Sequence, residues 1–231
     1  MKKLIYTGIV CLLSLNILAS DESLYDFKWL DEGEKVYVIQ NKEFTKAGSL
    51  GINVSVVQSD SSAFQNTSGF VGTISYYPSE NWSLDITYKQ YENSDSDDLT
   101  NLLTQIGGGI KPIIRKINTA SLLHVNWIPF YGKLNTFNRV VFFDWGLGLG
   151  VGQFETEGNW KTFDQTNIGI TYEAETDTGF NFKSFIQFYT QAGITLGLEY
   201  NLTGVDTIKD PNGVSQLLYY VDLMASVGYL F

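Results

Sequence analysis

The stretch from Leu217 to Phe231 alternates with a period of two. Leu217, Tyr219, Val221, Leu223, Ala225, Val227, Tyr229 and Phe231 are apolar or aromatic, and Leu218, Tyr220, Asp222, Met224, Ser226, Gly228 and Leu230 form a mixed set. Successive side chains of a strand point to opposite faces, so this stretch makes a strand with one continuous apolar face and one mixed face.

The same rhythm recurs upstream. Leu50, Ile52, Val54 and Val56 alternate with smaller or polar residues, as do Phe70 to Tyr77 and Trp82 to Lys89, and the residue types of Pro78 to Asn81 join the last two into a hairpin. A fourth strand is expected over 117–127, a turn over 129–138, and a fifth strand in which Val141, Phe143, Trp145, Leu147, Leu149 and Val151 oppose Phe142, Asp144, Gly146, Gly148, Gly150 and Gly152. A sixth strand is expected around Asn167 to Glu173, a turn over 175–184 and a seventh strand from Ile186 to Asn201. Leu217 to Phe231 is the eighth. Between the third and fourth strands, the acidic run Glu92 to Asp98 precedes Leu99, Leu102, Leu103 and Ile106 at helical spacing, with Gly107 to Gly109 ending the helix. This helix reads as a lid packed on the rim, or alternatively as a partner-binding or membrane-surface helix.

Eight alternating strands suit an antiparallel up-and-down barrel with either face inward. Burying the apolar face, as a soluble lipocalin-like carrier does, would expose four glycines and Asp144 on the fifth strand. The inverse is more economical: apolar side chains meet lipid and glycines make room in a narrow lumen. Tyr76, Trp82, Tyr88, Trp127, Tyr200, Tyr219 and Phe231 then supply aromatic girdles. The expected fold is all-β, an eight-stranded antiparallel transmembrane barrel with a short helix in one outer loop.

The start of the chain carries an address. Lys2 and Lys3 precede an apolar run from Leu4 to Leu18, then Ala19, Ser20 and the acidic pair Asp21 and Glu22. Residues 1–20 read as a secretory signal peptide, too short for a convincing spanning helix. Residues 21–46 read as a periplasmic lead-in and 47–231 as the barrel. Cleavage would remove the sole cysteine, Cys11, and leave a chain more acidic than the formal −10 of the whole sequence. With Arg115 and Arg139 as its only arginines, the chain is a poor partner for nucleic acid.

Short motifs also resemble known families. An alternating terminal strand ending in an aromatic residue is similar to the closing strand of outer-membrane barrels, where it serves as assembly signal; Val227, Tyr229 and Phe231 carry that likeness. Tyr37 to Phe44 (YVIQNKEF) with Lys46 and Gly48, Trp127 to Lys133 (WIPFYGK) and Phe142 to Gly150 (FFDWGLGLG) resemble a family of small outer-membrane barrels described from myxobacteria and related bacteria. The resemblance spans about Val36 to Phe231. It implies an eight-stranded barrel with no assigned activity, made with outer-membrane lipids and the barrel-assembly machinery as partners.

The inward set expected in the lumen is Asp85, Lys89, His124, Asp144, Glu173, Glu199 and Asp222. Buried charges are costly alone, so these should form a polar network that fixes the barrel, or a narrow cation-preferring pathway. His124, the single histidine, has Asn126 rather than serine two residues on, which disfavours a lipase-like Ser–His pair. It lies mid-strand, which disfavours an omptin-like protease. No cofactor is expected. One histidine and no mature cysteine exclude a soft-metal cluster, and Asp95, Asp97 and Asp98 lack the glycine and distal glutamate of a calcium loop. The glycines of strand five recur every second residue with no helix after them, unlike a nucleotide loop. Asn66, Asn81 and Asn201 head glycosylation sequons that a bacterial chain would not use. The expected role is structural or adhesive, with an extracellular ligand met by the outer loops. The alternatives are small-solute passage and lipid-modifying catalysis at His124.

Overall fold

The computed structural model describes residues 42–62, 64–105, 112–136, 139–159, 172–190, 192–208 and 214–231. Residues 1–20, expected to be a signal peptide, and most of the expected lead-in lie outside the described residues.

Eight strands follow in chain order: β1 (Leu50–Ser59), β2 (Gln65–Ser79), β3 (Trp82–Asp95), β4 (Arg115–Thr136), β5 (Arg139–Gly158), β6 (Glu173–Tyr189), β7 (Ile194–Ile208) and β8 (Ser215–Leu230). Each pairs antiparallel with the next, and β8 returns to β1 from Gly51↔Leu230 to Ser59↔Asp222, so the sheet closes. Closure leaves no open edge around the ring. Helix α1 (Asp97–Gln105) sits between β3 and β4. Ser96 caps it, accepting a 3.3 Å bond from the Leu99 N–H, and Asp97 and Asp98 complement its first turn. Leu99 is buried, as a lid helix requires; Ile106 and the three glycines after it lie outside the described residues.

The expected faces are the observed ones. On β1, Leu50, Ile52, Val54 and Val56 point outward while Gly51, Ser55 and Val57 are buried. Phe70, Ile86, Leu149 and Val151 are each more than 60% exposed on the outside. The run ends toward the loops at outward Gln58, Ser68, Gln90, Ser121 and Gln153. A soluble barrel would bury this band, so the lipocalin-like alternative is excluded and the barrel is of the transmembrane kind. Lipid satisfies the band, and the closed ladder satisfies the backbone. No helix among the described residues is long and apolar enough to cross a membrane.

β2 and β7 run past their expected ends, to Gln65 and Ile208, and three further boundaries differ from expectation. The expected turn at 175–184 is strand: β6 runs from Glu173 to Tyr189, and the turn is Thr190 to Gly193, where the Gly193 N–H donates to the Thr190 carbonyl at 3.1 Å and Gly193 takes φ +79°. The expected seventh strand thus joined the end of β6 to the start of β7, and Asn167 to Thr171 lie outside the described residues. Polar residues on both faces of the first half of β6 (Glu175 and Asp177 inward, Thr176 and Thr178 outward) erase the alternation there.

Residues 129–136 of the turn expected at 129–138 are also strand. β4 passes through a bulge between Trp127 and Phe130 and pairs with β5 as far as Thr136↔Arg139. Pro129 sits at the bulge, where its missing N–H breaks no ladder bond. This hairpin extends beyond its neighbours, since β3 pairing stops at Trp82↔Trp127 and β6 pairing at Phe142↔Tyr189. Finally, the acidic run at 92–98 is partly strand, because β3 continues to Asp95.

Candidate functional site: a filled lumen

The barrel has a turn end, where residues 78–81, the Thr190–Gly193 turn and Phe231 lie, and a loop end. Inward side chains fill the space between them in layers.

At the turn end, Lys42 to Gly48 folds across the mouth. The Glu80 carboxylate accepts from the N–H groups of Lys46 (2.8 Å) and Ala47 (2.9 Å) and meets the Lys42 ammonium at 3.4 Å. Burial pulls that carboxyl upward, but these N–H groups and Lys42 outweigh it and hold it below the ordinary carboxylate range. Phe44 packs edge-on against Phe142 and stacks on Tyr189, with ring centroids 5.4 and 5.8 Å apart. Gly48 takes φ +84° and donates its N–H to the Tyr77 carbonyl at 2.7 Å, a turn that favours glycine. The turn directs Lys46 into the barrel. Its side chain is buried, pairs with Asp144, and lies 5.6 and 5.9 Å from the Tyr77 and Tyr189 rings. Tyr189 donates its hydroxyl to the same Asp144 oxygen at 2.6 Å.

Next comes a chamber of about 40 Å³ lined by Ser55, Thr73, Ser75, Tyr77, Asp85 and Glu199, among others. It has room for a few waters at roughly 10–15 Å³ each, and its walls can bond them. Beside it a polar strut crosses the lumen. Asn126 donates to Ser83 Oγ (2.7 Å), Ser83 donates to Asp85 (3.1 Å) and Lys183 donates to Asp85 (2.7 Å). Lys183 also lies 3.9 Å from Glu199, which accepts from Asn201 at 2.7 Å. His124 Nε2 donates to Asn181 Oδ1 at 2.9 Å, and Asn181 donates to Thr203 at 2.8 Å. The glycines of β5 create this space. A Cβ on Gly148 would stand 2.8 Å from Lys183 Cγ, and one on Gly150 2.6 Å from His124 Nε2.

Toward the loop end, Lys89 and Tyr91 donate to one oxygen of Asp222 at 2.8 and 2.7 Å. Around and above them lies an apolar layer of Val57, Val71, Ile117, Ala120, Phe154 and Val205, closed by Tyr220 and Met224. The expected inward residues are therefore distributed as follows. Asp85 and Glu199 share Lys183, Lys89 meets Asp222, Asp144 meets Lys46, and His124 joins Asn181. Glu173 lies at the loop end of β6, opposite Gly158. Val227, Tyr229 and Phe231 lie on the outer face, with Tyr229 and Phe231 in edge contact at 4.8 Å.

Sequence reasoning missed Lys183, Lys46 and the apolar layer. Lys183 was detectable, since Asn181 and Lys183 alternate with Phe180 and Phe182. Lys46 gave no periodic signal because it belongs to no strand. Among the described residues no group of three or more His, Cys, Asp or Glu is placed to hold a metal ion.

No family model matches the chain, and no curated protein does. The likeness to the myxobacterial-type barrels is thus one of short motifs. Among solved structures, the chain is similar to the N-terminal β-barrel domain of Pseudomonas aeruginosa OprF (10% identity, 80% of this chain, 98% of that one, TM-score 0.48). It is also similar to the attachment invasion locus protein Ail of Yersinia pestis (16% identity, 80% and 99%, TM-score 0.42) and Neisserial surface protein A (12%, 79% and 98%, TM-score 0.43).

Proposed function

We propose that the protein is a bacterial outer-membrane barrel with a structural or adhesive role, whose loop end faces outward and recognises an extracellular ligand. Its short turns face the periplasm, as in bacterial barrels generally. The filled lumen is the observation that supports this reading over solute passage. Among the described residues, two buried layers, Lys46–Asp144 at one end and the Phe154 layer at the other, flank the small chamber. Recognition then falls to the loop end, where Asp60, Glu92, Asp95, Asp97, Asp98, Glu155 and Asp206 are exposed. That surface repels anionic partners and favours cationic ones.

Catalysis at His124 is disfavoured by its surroundings. Its Nε2 proton is committed to Asn181, its Nδ1 is buried, and Ser121 is exposed on the opposite face. Val227, Tyr229 and Phe231 supply the assembly signal that the barrel-assembly machinery reads, and outer-membrane lipid covers the apolar band.

Cells displaying the full chain should adhere to each other or to a surface more than cells displaying a variant lacking 97–105, at equal outer-membrane levels and equal heat-modifiable gel mobility. Equal adherence of the two would refute the recognition role of this loop.

A further inference from the structure

The Lys46 contact has the features of a ligand site. Asp144 is fully buried, and its two oxygens differ. One accepts from the Tyr189 hydroxyl and the Lys46 ammonium, while the other, Oδ1, is buried without a partner among the described residues and retains acceptor capacity. The Tyr77 and Tyr189 rings lie within 6 Å of the ammonium nitrogen, the range in which an aromatic face attracts a cation. The cradle is built by β2, β5 and β6 of the closed ring. Its occupant comes from a segment outside the ring, held by the Glu80 bonds and the Phe44 contacts. Host and guest are therefore structurally separate, although they belong to one chain.

We propose that Asp144, Tyr77 and Tyr189 form a binding site for a primary ammonium group, filled in cis by Lys46 as a tethered ligand that latches the N-terminal segment over the turn end. When that segment withdraws, the site takes a small primary amine. Primary ammonium is the class selected because Asp144 needs N–H donors. A quaternary ammonium could use the rings but offers the carboxylate no proton, and a hydrated sodium ion gains little from the rings.

The test is chemical rescue in the full chain folded in detergent micelles. The readout is the temperature at which half of the fast-migrating folded gel band is lost. Lys46→Ala should lower this midpoint. Methylammonium chloride should restore at least half of the loss, whereas tetramethylammonium and sodium chloride at equal concentration should not. Adding Asp144→Asn to Lys46→Ala should abolish the rescue. Folded Lys46→Ala protein that responds alike to all three salts overturns the proposal.

If Lys46→Ala fails to fold, Lys46→Cys can be alkylated in denaturant and refolded. Bromoethylamine rebuilds an ammonium of lysine length, iodoacetamide leaves a neutral amide, and Cys11 is modified alike in both. The aminoethyl adduct should fold with a wild-type midpoint and the amide adduct should not. Equal behaviour of the two adducts overturns the proposal.

Discussion

Lys183→Met is expected to destabilise the folded barrel by about 3–5 kcal/mol, the usual cost of leaving a buried charge without its partner. Lys183 is the cation of the central strut and stands between Asp85 at 2.7 Å and Glu199 at 3.9 Å. Methionine keeps its volume and its fit against Gly148 but removes the ammonium, so two carboxylates lose the cation that stood between them. The measurement is equilibrium unfolding by urea in lipid vesicles, read by gel mobility. Adding Asp85→Asn to Lys183→Met should recover a large part of the loss by removing one uncompensated charge. A loss under about 1 kcal/mol for Lys183→Met would mean that water, not the strut, satisfies this layer.

The pair Lys89 and Asp222 joins β3 to β8 across the lumen and allows a thermodynamic cycle. Lys89→Met and Asp222→Leu should each cost about 3–5 kcal/mol, because each strands a fully buried ion. Lys89→Met leaves Asp222 with only the Tyr91 hydroxyl, and Asp222→Leu leaves both Lys89 and Tyr91 without their acceptor. The double variant places two apolar side chains beside Met224 and Val71, in a layer that is already apolar. It should therefore be far more stable than the sum of the two losses, and fall short of the wild type by about the 1–3 kcal/mol of a buried Tyr91 hydroxyl without its acceptor. Strictly additive losses in the same urea titration would show that the two side chains act independently.

Most of the ring was legible because lipid and lumen make opposite demands on alternate positions. Where one face was uniformly apolar, as in β1, β3, β5 and β8, the period of two indicated strand and orientation together. It failed where a strand leaves the apolar band. The first half of β6 is polar on both faces and reads as loop, and the extension of β4 past Trp127 changes parity at a bulge next to a proline. The lumen was half legible for a related reason. Alternation reveals that Asp85, Lys89, Asp144 and Asp222 point inward, but the partners meet across the ring and not along the chain. Lys46 illustrates the limit, since only the tertiary path of Lys42 to Gly48 delivers it to Asp144.

Lipid covers the outside of this barrel, and its own side chains fill the inside. The most direct measurement is single-channel current across a planar bilayer, using full-length protein whose insertion is verified by its heat-modifiable gel mobility. A silent bilayer is the predicted result, since Lys46 and Asp144 close one end and the Phe154 layer closes the other. Stable, sizeable unitary steps would contradict a filled lumen and would return solute passage to first place among its functions.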